Sequence, residues 1–159
     1  MSQAKAYAVM SPTTPFQPWS FDRREPGDKD IRIEIAFCGI CHSDLHQARD
    51  EWGGSKFPMV PGHEIAGRVT AVGKKVRKFK AGDFAGVGCL VDSCGKCGNC
   101  KKDLEQHCAG PVAFTYNGFE LDGQTPTYGG YSSHVVVNEA FALKLAAGQP
   151  LERVAPLLC

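Results

Sequence analysis

The sequence predicts a mainly β protein with short helices, and three observations carry that prediction. Short runs of β-branched and aromatic residues recur along the chain between clusters of Gly and Pro. One run, Ile31 to Phe37, alternates in period two, with Ile31, Ile33, Ile35 and Phe37 on one face and Arg32 and Glu34 on the other. Helix signals are few and short. At 159 residues with 43% hydrophobic content, the chain can build one domain around its own core.

The elements follow in order. Strands are expected over Lys5 to Met10, Ile31 to Phe37, Ile65 to Val72, Phe84 to Val87 and Tyr131 to Val137, separated by turn signals such as "PGD", "GKKV", "AGD" and "YGG". The basic stretch "GKKVRKFKAG" at 73–82, with Val76 and Phe79 among its lysines, reads as a solvated turn between two of these strands. A helical turn is expected from Ser43 to Arg49, and another starting near Pro150, which suits the first helical position. Residues 109–130, rich in Gly, Pro and Thr, read as a long connection of the functional or mobile kind.

Charge and hydropathy exclude several classes. Lys+Arg 18 against Asp+Glu 17 leaves a net charge of +1, which gives no electrostatic footprint for nucleic acid or an anionic membrane. No stretch approaches the roughly 18 apolar residues of a membrane span, and residues 1–15 lack the apolar centre of a signal peptide. A cytoplasmic chain with reduced thiols is the expectation.

That expectation matters for the eight cysteines. Four of them, Cys94, Cys97, Cys100 and Cys108, sit in "CGKCGNCKKDLEQHC" with spacing C-x2-C-x2-C-x7-C. Four thiolates on one loop suit a closed tetrahedral zinc site, structural because it keeps no open position. A disulfide knot would need an oxidising compartment. The bacterial iron–sulfur run ends in C-x3-C-P, which this loop does not. The loop over residues 89–110 is therefore read as a structural-zinc loop within a single domain spanning 1–159.

A second group of metal-binding residue types follows the Ile31 strand. "FCGICHSDLH" offers Cys38, Cys41, His42, Ser43, Asp44 and His46, and "VPGHEIAG" offers His63 and Glu64. Cys38 and Cys41 taken alone could be a redox pair, but that motif belongs in a βαβ context which this strand-rich chain lacks. Read without further context, Ser43 could cap the following turn, His46 could be an exposed helix residue, and Cys38 is a small buried hydrophobe.

"GHEIAGRVTAVGKKV", from Gly62 to Val76, resembles the zinc alcohol dehydrogenase signature at Gly62, His63, Glu64, Gly67, Gly73 and Val76. "GICHSDLH", "GDFAGVG", the four-cysteine loop and "YGGYSSHVVV" follow that family's order and spacing across essentially the whole chain. The likeness is greatest to the cinnamyl alcohol dehydrogenase and bacterial aldehyde reductase branch of the medium-chain dehydrogenases. The resemblance implies a GroES-like, partly open β-barrel catalytic domain and two zinc ions per chain.

The same resemblance implies roles. Cys41, His63 and Cys159 of "APLLC" would hold a catalytic zinc, leaving a fourth position for water or substrate. Glu64 matches a glutamate beneath that zinc, an alternative ligand, and Asp44 a carboxylate that orients His63. Ser43 matches the hydroxyl that takes the alcohol's proton, His46 the base that passes it to solvent through the cofactor ribose, and His42 a contact to the cofactor pyrophosphate. Trp52 and Cys89 are placed at the substrate pocket. The implied reaction is hydride transfer between a primary alcohol or aldehyde and NADP or NAD, with the complete enzyme a homodimer.

One feature of the family is missing. A Rossmann cofactor domain should follow "APLLC", yet no G-x-G-x-x-G occurs, and "GVGCLV" at 86–91 lacks the third Gly. The sequence therefore reads as the amino-terminal part of a dehydrogenase. The alternative, from a different functional class, is a stand-alone zinc-binding interaction module of the same fold without catalysis. Intact Ser43, His46 and Glu64 beside an open three-ligand set favour the enzyme.

Overall fold

The Ile31 run lies at the heart of the main sheet. In the computed structural model, which describes residues 1–159, the chain forms β1 (Ser2–Ala8), β2 (Gln17–Arg23), β3 (Asp30–Cys38), α1 (His42–Ala48), β4 (Ile65–Val72) and β5 (Phe84–Val87). It continues through β6 (Leu90–Ser93), β7 (Val112–Phe114), β8 (Gly118–Phe119), β9 (Pro126–Thr127), β10 (His134–Asn138), β11 (Ala142–Leu145) and α2 (Leu151–Val154). The main sheet has the order β10-β3-β4-β5-β11, antiparallel throughout. Hairpin β1–β2 continues it past β10, through Tyr7 N–H to Tyr131 O at 2.9 Å and Ser133 N–H to Lys5 O at 2.8 Å. The sheet curls without closing, because β11 pairs with β5 alone.

The alternation in β3 holds for only half its length. Ile31 and Ile33 are fully buried, Ile35 is half-buried, and Phe37 is 45% exposed. Register shifts against β4 fall between Arg32 and Ile33 and between Ile35 and Phe37. Each irregularity re-aims the residues beyond it, so Phe37 leaves the core face. Ile31 and Ile33 pack with Ile65, Val69, Val87 and Val135 in the main core. Each such side chain contributes about 1.5–3 kcal/mol by leaving water.

Three expectations are corrected. The first strand ends at Ala8 because Val9 turns to bridge Met59, and Met10 and Ser11 donate to Thr14 Oγ1 instead. Strands β2, β6, β7 and β11 are additional. In β2, Trp19, Phe21 and Arg23 face inward at period two, a signal obscured by Pro18 at the start of the strand. Residues 109–130 are no structureless connection: they carry β7, paired with β6, and the β8–β9 hairpin. Asp122 closes that hairpin by accepting from the Gln124 and Thr125 N–H groups, both at 2.8 Å, and Arg24 pairs with Glu120 at its base.

The basic turn at 73–82 joins β4 to β5, and its lysines are exposed while Val76 and Phe79 drop into the main core. Pro150 sits one residue ahead of α2, as its N-cap. No helix is long and apolar enough to cross a membrane.

Candidate metal centres and the cleft beside them

The four-cysteine loop has little core beneath it and folds instead around its own sulfurs. Two single 3-10 turns, Cys100–Lys102 and Glu105–His107, bring the thiols together, with Asp103 at φ 58° reversing the chain between them. Asn99 ties the loop by donating from Nδ2 to His107 O at 2.5 Å. The Sγ atoms stand 3.4 Å apart for Cys97–Cys100 and Cys94–Cys108, 3.9 Å for Cys94–Cys100 and 4.0 Å for Cys97–Cys108. A disulfide would need about 2.05 Å, and all eight cysteines are free. An ion about 2.3 Å from each corner of a sulfur tetrahedron sets edges of about 3.8 Å. The four separations lie on either side of that value, so the loop fits such an ion. Backbone N–H groups of Cys100 and Ala109 reach Cys97 Sγ, each at 3.5 Å, and hold its thiol down at about 6.

The second cluster is assembled from three distant segments. Cys41 is the N-cap of α1, His63 and Glu64 immediately precede β4, and Cys159 follows a 3-10 turn over Ala155–Leu157. The ligand atoms of these four residues all lie within 4.8 Å of one another. Cys41 Sγ is 3.6 Å from Cys159 Sγ, which is 3.5 Å from His63 Nε2. With Zn–S near 2.3 Å and Zn–N near 2.1 Å, a tetrahedral ion sets edges of about 3.6–3.8 Å.

Glu64 supplies the second test of fit. Its Oε2 is buried with no hydrogen-bond partner, and burial pushes the carboxyl above its ordinary range. A Cβ at position 39 would stand 1.9 Å from that oxygen, so only Gly39 leaves room for it. An orphaned acidic oxygen beside two thiols and an imidazole is a natural neighbour for a divalent cation.

Asp44, 1% exposed, organises the frame around this cluster. Its carboxylate accepts from the Cys41 N–H at 2.9 Å, the Gly62 N–H at 3.0 Å and the Tyr131 hydroxyl at 3.1 Å. It therefore reaches His63 through the preceding peptide, and none of these bonds goes to the imidazole ring. The ring stacks instead on Tyr116, centroids 5.6 Å apart. Cys38 is half-buried against the main core, and burial pushes its thiol up to about 12, a neutral small hydrophobe.

His46 and Ser43 stand one turn apart on α1. Nδ1 of His46 meets Glu51 Oε2 at 2.5 Å, and the imidazole stacks on Trp52 with centroids 4.8 Å apart. That hydrogen bond holds the Glu51 carboxyl below its ordinary range. Ser43 Oγ lies 3.6 Å from Cys41 Sγ and is not hydrogen-bonded to His46. His42 is exposed, with its ring 6.0 Å from that of His46. A cleft of ≈ 310 Å³ opens beside His63 of the second cluster, bounded by Ser43, Gln47, Trp52, His63, Cys89, Phe114, Thr115, Tyr116 and Asn117. A larger apolar groove of ≈ 800 Å³ runs along Tyr7, Phe16, Trp19, Phe37 and Ile40, away from both clusters' ligand atoms. Of the second cluster's residues, His63 lines the smaller cleft.

The profile of the alcohol dehydrogenase GroES-like domain matches residues 27–147. The chain belongs to this family. Among curated relatives, the NADP-dependent alcohol dehydrogenase C of Mycobacterium bovis is 52% identical over 159 residues, covering all of this chain and 46% of the relative. Cinnamyl alcohol dehydrogenase 8 of Arabidopsis thaliana is 54% identical over 142 residues, 89% of this chain and 39% of the relative. Among solved structures, CAD from Helicobacter pylori complexed with NADP(H) superposes with a TM-score of 0.94 at 47% identity, over 99% of this chain and 45% of that one. A cinnamyl alcohol dehydrogenase from Sorghum bicolor gives 0.94 at 42% identity, over 99% and 45%. The chain thus spans somewhat less than half the length of these relatives.

Within this GroES-like domain, Trp52 and Cys89, which the family resemblance assigns to the substrate pocket, both line this cleft. Sequence reasoning missed Gln47, Phe114, Tyr116 and Asn117, which line the same cleft, and Glu51 and Tyr131, which hold His46 and Asp44. Phe114 to Asn117 lie in the stretch read as a long connection of the functional or mobile kind, and no periodicity marked them individually. The one available signal was the density of aromatics in "FTYNGF".

Proposed function

We propose that this chain is the zinc-binding catalytic part of an alcohol dehydrogenase or aldehyde reductase. The complete protein would transfer hydride between a primary alcohol or aldehyde and NADP. The observation that carries this reading is the Cys41, His63 and Cys159 set, which supplies three ligands of the right chemistry beside an open cleft. A closed structural site would have a fourth Cys or His there, where this set has only the Glu64 carboxylate. The stand-alone interaction module has no use for such an opening. The NADP-dependent relatives and the NADP(H) complex support the choice of cofactor. Eight unpaired thiols suit a reducing, cytoplasmic compartment.

Cys94, Cys97, Cys100 and Cys108 would hold a structural zinc, while Cys41, His63 and Cys159 would hold a catalytic one, with the buried Glu64 carboxylate in reserve as a further ligand. When bound, the catalytic zinc supplies Lewis acidity that lets an alcohol hydroxyl ionise near neutral pH. The two thiolates offset most of its charge, and the neutral His63 imidazole leaves the rest. Trp52, Phe114 and Tyr116 give the cleft aromatic walls suited to an apolar substrate body.

Proton handling falls to residues of α1. Ser43 Oγ, on the wall of the cleft, takes the proton that the alcohol loses. Glu51 occupies Nδ1 of His46, so Nε2 is the nitrogen free to accept a proton and release it to solvent. His42, exposed at the first residue of α1, is the contact for the cofactor pyrophosphate. In the complete protein, cinnamyl or benzyl alcohol should drive NADP reduction that Cys41→Ala abolishes. Turnover unaffected by Cys41→Ala would refute the assignment.

A further inference from the structure

Tyr131 lies 87 residues from Asp44 and is no metal ligand, yet its position ties it to the second cluster. The turn that carries it is bonded to the segment leading into His63. Gly129 N–H donates to Val60 O at 2.7 Å, Gly130 N–H to Gly62 O at 2.8 Å, and Tyr131 N–H to Pro61 O at 3.0 Å. Gly62, at φ +103°, is pressed against this turn, where a Cβ would stand 2.8 Å from Tyr131 Cδ1 and 2.9 Å from Gly130 N. The phenol then reaches past Gly62 to donate to Asp44 Oδ2, the same oxygen that accepts the Cys41 N–H. Asp44 Oδ1 accepts the Gly62 N–H. One buried carboxylate thus connects the peptide of one thiol ligand with the peptide before the imidazole ligand, and Tyr131 OH is its only side-chain donor among these bonds.

We infer that the Tyr131 hydroxyl is a positioning group for the metal site, locking the Asp44 carboxylate so that Cys41 and His63 are held at binding distance. This rests on the proposed reading of Cys41, His63 and Cys159 as a metal site. The physical reason is geometric. With three donors the carboxylate has one orientation that satisfies them all. Without the phenol, Oδ2 keeps the Cys41 N–H alone among these hydrogen bonds, and the carboxylate can rotate toward the neighbouring Tyr116 hydroxyl. A ligand frame free to rotate binds its metal less tightly. Burial and the nearby Asp44 charge raise the phenol's pKa, which keeps it protonated and donating.

Release of zinc to a chromophoric chelator, followed in the complete protein, tests this. Wild type should show a fast phase from the Cys41, His63 and Cys159 site and a slow phase from the four-cysteine loop. Tyr131→Phe retains the ring that packs against Gly62 and Phe16 and removes only the hydroxyl. It should weaken zinc affinity at this site by about 10- to 100-fold, the range for loss of groups supporting a metal ligand, which speeds the fast phase and leaves the slow phase unchanged. Phe16→Leu, which removes ring packing and spares the hydroxyl, should change neither phase. An unchanged fast phase in Tyr131→Phe would overturn the inference, as would acceleration of both phases or equal acceleration by Phe16→Leu. Absence of a fast phase in wild type would overturn the metal-site reading itself, so the two failures are separable.

Discussion

Cys159 Sγ and His63 Nε2 stand 3.5 Å apart although 96 residues separate them in the chain. The contact joins the last residue of this sequence to the segment entering β4. Ala155, 1% exposed, anchors the last turn beside it, and Leu158 packs over Gly86 of β5. Removing that thiol should therefore remove one metal and little else. Cys159→Ala is expected to lose the chelator-labile zinc while keeping the other zinc and an unchanged far-ultraviolet spectrum, measured by elemental analysis and circular dichroism.

The four-cysteine loop should behave in the opposite way. Its residues are mostly exposed apart from Cys100, so the sulfurs and their ion replace a hydrophobic core there. Cys97→Ala is expected to cost about 3–5 kcal/mol of stability through loss of the ion, seen in denaturant unfolding. The cleft over the second cluster should be affected less than the loop, a difference that hydrogen exchange resolves.

His46 gives a prediction in pH. If Nε2 carries the alcohol's proton away, His46→Gln should slow alcohol oxidation most below about pH 7, where ionisation of the alcohol is hardest. Glu51→Gln should shift the same profile in the same direction by a smaller amount, because the imidazole loses the carboxylate that fixes its tautomer. A kcat profile unaltered by His46→Gln removes the residue from the mechanism.

How much of this was legible in the sequence can be judged from particular residues. Spacing alone identified Cys94, Cys97, Cys100 and Cys108, because a loop that short can bring four thiols together only around one centre. Cys41, His63 and Cys159 could be grouped only through the family resemblance, since their contacts span up to 118 residues. Periodicity located β3 but missed its irregularities, which depend on the partner strand β4 and exist only once the sheet forms. Tyr116, Asn117 and Tyr131 were invisible for the same reason. Each acts through a residue distant in sequence, and nothing in "FTYNG" or "YGGY" states which residue that is.

Glu64 provides a pH dependence that reports on the metal-stripped frame of the second cluster. Its folded pKa is raised by burial, so its contribution to the stability of metal-stripped protein is present below its unfolded value of about 4.3 and is lost as pH rises through the folded pKa. Metal-stripped protein should lose stability over that interval, and Glu64→Gln should flatten the loss. With metal restored the cation favours the ionised carboxylate, and the dependence should shrink. Thermal unfolding of both proteins from about pH 4 upward would reveal it; identical slopes would show that burial does not raise the Glu64 carboxyl.

Zinc content before and after brief chelation tests the two-site account as a whole. The protein should contain two zinc ions per chain as purified under reducing conditions and one after chelation, with Cys41→Ala starting at one and losing none. One zinc per wild-type chain, or removal of both ions at the same rate, would contradict it.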